Sequence, residues 1–129
     1  MPDWCHRVGP LKGIRILVAE DEFLVGIQLE GDLRSAGCSI VGPFSTLEMA
    51  TQVSRREQFD LAILDINLNG SMVYPSADEL SARGIPFIFL SGYVSANLPE
   101  RFRWSLQIAK PHDPKALLKE IRAAVPKPN

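Results

Sequence analysis

Five short apolar runs alternate along this chain with segments in which apolar residues recur every three or four positions, and this alternation limits the possible folds more than any other feature. The first run covers residues 14–19. Behind it Val25, Leu29, Leu33 and Ala36 fall on one face of a helix that Gly37 would close. A second run, residues 38–41, leads through Gly42-Pro43 to Ser45-Thr46-Leu47-Glu48, whose Ser-x-x-Glu spacing reads as a capping box opening a helix to about Glu57. The third run, Leu61-Ala62-Ile63-Leu64, is apolar at every position, as expected of a strand buried on both faces of a sheet. A polar loop at 67–71 then precedes a helix near 75–83, closed by Gly84, and residues 86–90 form a fourth strand. A short helix is expected to start near Pro99, and residues 106–109 make a fifth strand. Asp113-Pro114 supplies the cap and first position of a last helix, with Leu117, Leu118, Ile121 and Val125 facing inward. Five strands alternating with five helices predict an α/β domain, a parallel sheet with helices on both faces.

The polar residues that interrupt the strands carry the chemical information. Strand one ends in Glu20-Asp21-Glu22, strand three in Asp65 with Asn67 two residues on, strand four in Ser91-Gly92, and strand five in Lys110-Pro111. In an open parallel sheet every strand delivers its carboxyl end to one edge, where ligands bind. A flavodoxin-like three-layer sandwich with strand order 2-1-3-4-5 makes strands one and three neighbours, so the acidic pair lies beside Asp65, with Ser91 and Lys110 on its other side. Three carboxylates in one pocket repel one another, and one lysine cannot balance them. Mg²⁺, a hard cation that takes carboxylates, waters and phosphate oxygens, can. A carboxylate there is also able to act as a nucleophile towards phosphorus, while the lysine and metal stabilise charge on the transferring group and Ser91 donates to a phosphoryl oxygen. Each signal alone has a plainer explanation: acids favour a helix N-terminus, an aspartate turns a loop, a lysine is a surface cation. Their coincidence at four strand ends favours a site.

At 129 residues the chain fits one domain, taken as residues 13–125 with tails at 1–12 and 126–129, and no output domain is expected. A net charge of −1 gives no basic field for nucleic acid or an anionic membrane. No apolar run approaches the roughly 20 residues of a membrane span, and the first residues lack the apolar stretch of a signal peptide, so a cytoplasmic protein is expected. Cys5 and Cys38 have no metal-ligand spacing, and Cys38 reads as a small buried apolar residue.

Taken together, Glu20-Asp21, Leu64-Asp65-Ile66-Asn67, Phe89-Leu90-Ser91-Gly92 and Lys110-Pro111 resemble the receiver domains of two-component response regulators, over about residues 14–125. The resemblance implies a signalling switch, not an enzyme on an external substrate, in which Asp65 accepts a phosphoryl group from a histidine kinase, a phosphotransfer protein or a small phosphodonor. It implies that Asp21 and Asp65 bind Mg²⁺ by side chains, Glu20 through water and Asn67 through its backbone carbonyl. Lys110 would pair with the phosphoryl group, and Ser91 would reorient towards it. The stretch Phe89-Leu90-Ser91-Gly92-Tyr93 is similar to that of a receiver subgroup common in alphaproteobacteria, many of which stand alone.

Two positions depart from the family pattern. Gln107 stands where most receivers carry an aromatic switch, and His112 replaces the aromatic that often follows Lys-Pro. Tyr93 is the candidate for the moving ring instead. A phosphatase with an aspartyl nucleophile needs an acid two residues further on, where this chain has Asn67. A nucleotide site needs a glycine-rich loop after strand one, where Glu20-Asp21-Glu22 stands. The remaining alternative is a receiver fold used as a phosphorylation-independent scaffold. Contact with a kinase or downstream protein is expected along the last helix, the strand before it and residues 95–104, where Phe102 and Trp104 stand among arginines, in a monomer or weak dimer.

Overall fold

The computed structural model describes residues 10–92 and 98–125. Its elements are β1 (Arg15–Ala19), α1 (Phe23–Ser35), β2 (Ser39–Phe44), α2 (Leu47–Arg56), β3 (Leu61–Asp65), β4 (Asn67–Leu68), β5 (Ser71–Met72), α3 (Tyr74–Arg83), β6 (Phe87–Ser91), a 3₁₀ turn (Glu100–Phe102), β7 (Leu106–Ala109) and α4 (Pro114–Ala124). Five strands form a parallel sheet in the order β2-β1-β3-β6-β7, and β4 and β5 make a separate antiparallel pair. With that small pair set aside, the order is the expected 2-1-3-4-5.

The strand period of two sorts the core into two layers. Ile16, Val18, Leu61, Ile63, Ile88 and Leu90 pack with Leu29 and Leu33 of α1 and Leu117 and Ile121 of α4. Leu17, Ala19, Ala62, Leu64 and Phe89 pack on the other side with Ala50 and Val53 of α2 and Ala77 and Leu80 of α3. Because both faces are covered, every residue of β3 is buried. Phe87, Phe89, Phe102 and Tyr74 form an aromatic cluster with ring centroids 5.2–5.9 Å apart.

The helix ends follow local rules. Gly37, at φ 100°, ends α1 with the paired bonds of a Schellman motif, its own N–H to Arg34 O and that of Cys38 to Leu33 O. Gly84 ends α3 in the same way. Gly42 in β2 has φ 110°, and a Cβ there would stand 2.7 Å from the Val18 carbonyl oxygen, so only glycine fits.

Four expectations change. The cap of α2 is Thr46, whose hydroxyl accepts from Met49 N at 3.3 Å, and not Ser45; β2 runs on through Phe44 and shifts the first helical residue by one. The polar stretch 67–71 is a hairpin, turned by Asn69 (φ 51°) and Gly70 (φ 89°), both with the positive φ of a type I′ turn. The helix expected near Pro99 is one 3₁₀ turn among the described residues, since β7 begins at Leu106 and Phe102 must first reach the aromatic cluster. There are thus four α-helices, not five, among the described residues.

Candidate functional site

The carboxyl ends of β1, β3, β6 and β7 meet at one edge of the sheet. Register does this work: Ala19 is level with Leu64, Asp65 with Leu90, and Ser91 with Ala109. The next residues along β1 and β7 are Glu20 and Lys110, and the Lys110 N–H donates to Ser91 O at 2.9 Å, tying the ends of β6 and β7 together. The cleft they line, about 810 Å³, is bounded by Asp21, Glu22, Asp65, Asn67, Ser91 and Lys110, with Met72 of the hairpin and Pro111 at its rim.

Asp65 is 5% exposed. Its Oδ1 accepts from the Asn67 N–H at 3.2 Å, and its Oδ2 accepts from Lys110 Nζ at 3.0 Å. The Glu20 side chain is fully buried; Oε2 accepts from Glu22 N at 3.0 Å and from Lys110 Nζ at 3.4 Å. Glu20 Oε1 is buried and has no hydrogen-bond partner among the described residues. Asp21 accepts the Asn69 N–H at 2.9 Å, so the hairpin turn holds the second acid. The Asn67 side chain accepts from Gly70 N at 2.7 Å and so braces that turn.

The electrostatics follow from burial and crowding. Burial and the neighbouring Asp65 push the Glu20 carboxyl up to about 8, and burial raises Asp65 as well. Burial works against ionised Asp21, but hydrogen bonds from the Asn69 N–H, its own backbone, and the Asp65 and Glu20 side chains together outweigh it and hold this carboxyl below its usual range. Burial opposes the charge of Lys110, yet the Glu22 and Asp65 carboxylates raise it above an ordinary lysine. Carboxylate oxygens of Glu20, Asp21 and Asp65 lie within 4.8 Å of one another. Three acids so placed, one with a buried unpartnered oxygen, fit a hard divalent cation with oxygen ligands.

Of the strand-end residues singled out in the sequence, Asp21, Asp65, Asn67, Ser91 and Lys110 line one cleft, and the buried Glu20 carboxyl lies beside those of Asp21 and Asp65; Tyr93 lies outside the described residues. Of the expected partner face, Phe102 is core, while Trp104 is 86% exposed with the Arg103 guanidinium 5.2 Å from its ring centroid. Two features went unread. Glu22, the third acid of the run, forms an ion pair with Lys110. Its signal is a glutamate at an N-cap, where Ser, Thr, Asp or Asn is favoured. The buried His112 places Nε2 2.6 Å from Asp32 Oδ2, linking α1 to the segment after Lys110. No helix among the described residues is long and apolar enough to cross a membrane.

A doubly covered parallel sheet with an acidic cleft and a lysine at its carboxyl edge defines an α/β receiver-type architecture. No family model matches the chain. Among solved structures it is similar to SdrG from Sphingomonas melonis Fr1, at 34% identity and TM-score 0.77, covering 86% of this chain and 95% of that one. The PhyR response regulator REC domain of Erythrobacter litoralis is 26% identical at TM-score 0.75, with 94% and 98% covered. The receiver domain of sensor histidine kinase PA1611 from Pseudomonas aeruginosa PAO1 shares the fold at 23% identity and TM-score 0.72, over 87% of this chain and 97% of that one; its structure has a magnesium ion coordinated in the active-site cleft. Among curated proteins, the transcriptional regulatory protein PdtaR of Mycobacterium tuberculosis is 30% identical over 115 residues, 86% of this chain and 56% of that protein. The chain spans about half the length of the curated relatives it matches. It belongs to the receiver domains of response regulators, the signalling switches of two-component systems. Domains of this class interact with histidine kinases or phosphotransfer proteins and with downstream targets.

Proposed function

We propose that residues 13–125 act as a phosphoacceptor switch in which Asp65 takes a phosphoryl group from a phosphohistidine or a small phosphodonor. The observation that carries this reading is the Asp65 carboxylate, buried at the end of β3, 3.0 Å from Lys110 Nζ and within 4.8 Å of Glu20 and Asp21. Asp21 and Asp65 would hold Mg²⁺ with the Asn67 backbone carbonyl, and Glu20 through water; the cation supplies positive charge against the oxygens of the transferring phosphoryl group.

In the transfer, a carboxylate oxygen of Asp65 forms the bond to phosphorus as the bond to the donor nitrogen or oxygen breaks, and the donor leaves with that electron pair. Lys110 moves a hydrogen bond from Asp65 to the phosphoryl oxygens, and Ser91, which lines the cleft beside it, donates its hydroxyl to another. The chain catalyses only its own phosphorylation and its hydrolytic reversal. The helix that borders the cleft exposes Phe23, Leu24 and Ile27, an apolar patch suited to a kinase or phosphotransfer partner presenting its phosphohistidine.

An acyl phosphate is reduced by borohydride to an alcohol, which marks the phosphorylated carboxylate permanently. Peptide mapping after acetyl phosphate and borohydride is expected to place the homoserine at position 65. A mark at Asp21 or Glu20, or none in a protein that has taken up phosphate, would overturn the assignment.

A further inference from the structure

Glu22 occupies the N-cap of α1, yet its side chain makes no capping hydrogen bond. Its carboxylate is turned instead to Lys110, forming the shortest contact that this ammonium makes. A lysine has three N–H donors, and here three acidic side chains receive them: Asp65, Glu20 and Glu22. The donor set of Lys110 is therefore full before any phosphoryl group arrives, and one acceptor must be released when a phosphoryl oxygen is bound.

Solvation decides which one leaves. The Glu20 side chain is fully buried and one of its oxygens already lacks a partner, so losing the Lys110 donor would leave a buried polar group less satisfied, away from water. The Asp65 oxygens carry the incoming group themselves. The Glu22 side chain is 60% exposed at the cleft rim and can be rehydrated at small cost. We propose that Glu22 is a positioning residue for Lys110, a brake that holds the ammonium among carboxylates before transfer and is exchanged for a phosphoryl oxygen during it. The proposal rests on Asp65 being the phosphoacceptor.

The test is the initial rate of phosphorylation by acetyl phosphate at saturating Mg²⁺, followed by intact mass, in wild type, Glu22→Gln, Lys110→Ala and the double variant. Glu22→Gln is expected to raise the maximal rate about fivefold, the scale of a partly exposed ion pair, with the donor concentration at half-maximal rate unchanged. The gain should vanish in the Lys110→Ala background, because the coupling runs through that ammonium. Glu48→Gln removes an equal charge from the exposed first turn of α2 and is expected to leave the rate as it is. A rate in Glu22→Gln equal to or below wild type overturns the proposal. So does an equal gain with Lys110 absent or from Glu48→Gln, since either would make the effect one of net charge. Wild type that takes up no phosphate would instead overturn the phosphoacceptor reading, a result seen before any variant is compared.

Discussion

Lys110 is the residue on which the account leans hardest. It contacts the proposed nucleophile at 3.0 Å and two further acids, and its side chain is only 12% exposed. Lys110→Ala is expected to slow phosphorylation by about a hundredfold, the loss typical of removing one preorganised donor from a charge-developing site, in a protein that remains folded. An acetyl phosphate time course checks this, and a rate within threefold of wild type would remove Lys110 from the mechanism. His112 supports the same segment at a distance. With Asp32→Ala its buried ring nitrogen loses its partner 2.6 Å away, and the expected destabilisation is about 1–3 kcal/mol, measured by urea unfolding. The free Cys38 fits its expected inert role: burial pushes the thiol up to about 11, far from reactive at neutral pH.

At the scale of elements, α1 carries two surfaces with opposite demands. Leu29 and Leu33 are fully buried against the sheet, while Phe23, Leu24 and Ile27 stand exposed beside the cleft. Leu33→Ala is expected to cost about 2–5 kcal/mol through the cavity it leaves, whereas Trp104→Ala, at an 86% exposed position, should leave the thermal midpoint where it is. A large loss in the second variant would mean that the tryptophan packs against the fold. Strand ends and helix faces were legible because each is set by a short-range period: Asp65, Ser91 and Lys110 follow apolar runs whose register sets each one residue beyond the last, at the same edge of the sheet. The Thr46 cap was not, because Ser45 and Thr46 are equivalent by type and only the length of β2 chooses between them. Asn69-Gly70 is a type I′ hairpin signature inside a stretch whose polarity reads only as a loop. The Asp32–His112 pair joins residues 80 apart in the chain, and no local pattern announces such a contact.

Across the whole molecule, a cation held at the acidic edge would make folding and cation binding one linked equilibrium. The Glu20 carboxyl is raised from 4.5 to about 8 in the folded, metal-free protein, so the folded state binds a proton that the unfolded state has lost over that interval. The associated stability is fully present below the unfolded value and is lost as pH rises through about 8. The thermal midpoint in chelator is therefore expected to fall between about pH 6.5 and pH 9, with Glu20→Gln flattening the change and Mg²⁺ restoring stability at the alkaline end. A wild-type midpoint that rises over this range in chelator would contradict the assigned electrostatics.

The sheet order, the two packed layers and the meeting of four strand ends converge on one carboxylate. The measurement that tests this most directly is the intact mass of the protein after incubation with acetyl phosphate or phosphoramidate, with Mg²⁺ and with chelator, beside Asp65→Asn. A gain of one phosphoryl group that needs Mg²⁺ and is absent in Asp65→Asn is the predicted result. No gain with either donor, or an equal gain in Asp65→Asn, would contradict the account and leave a receiver fold that works as a scaffold.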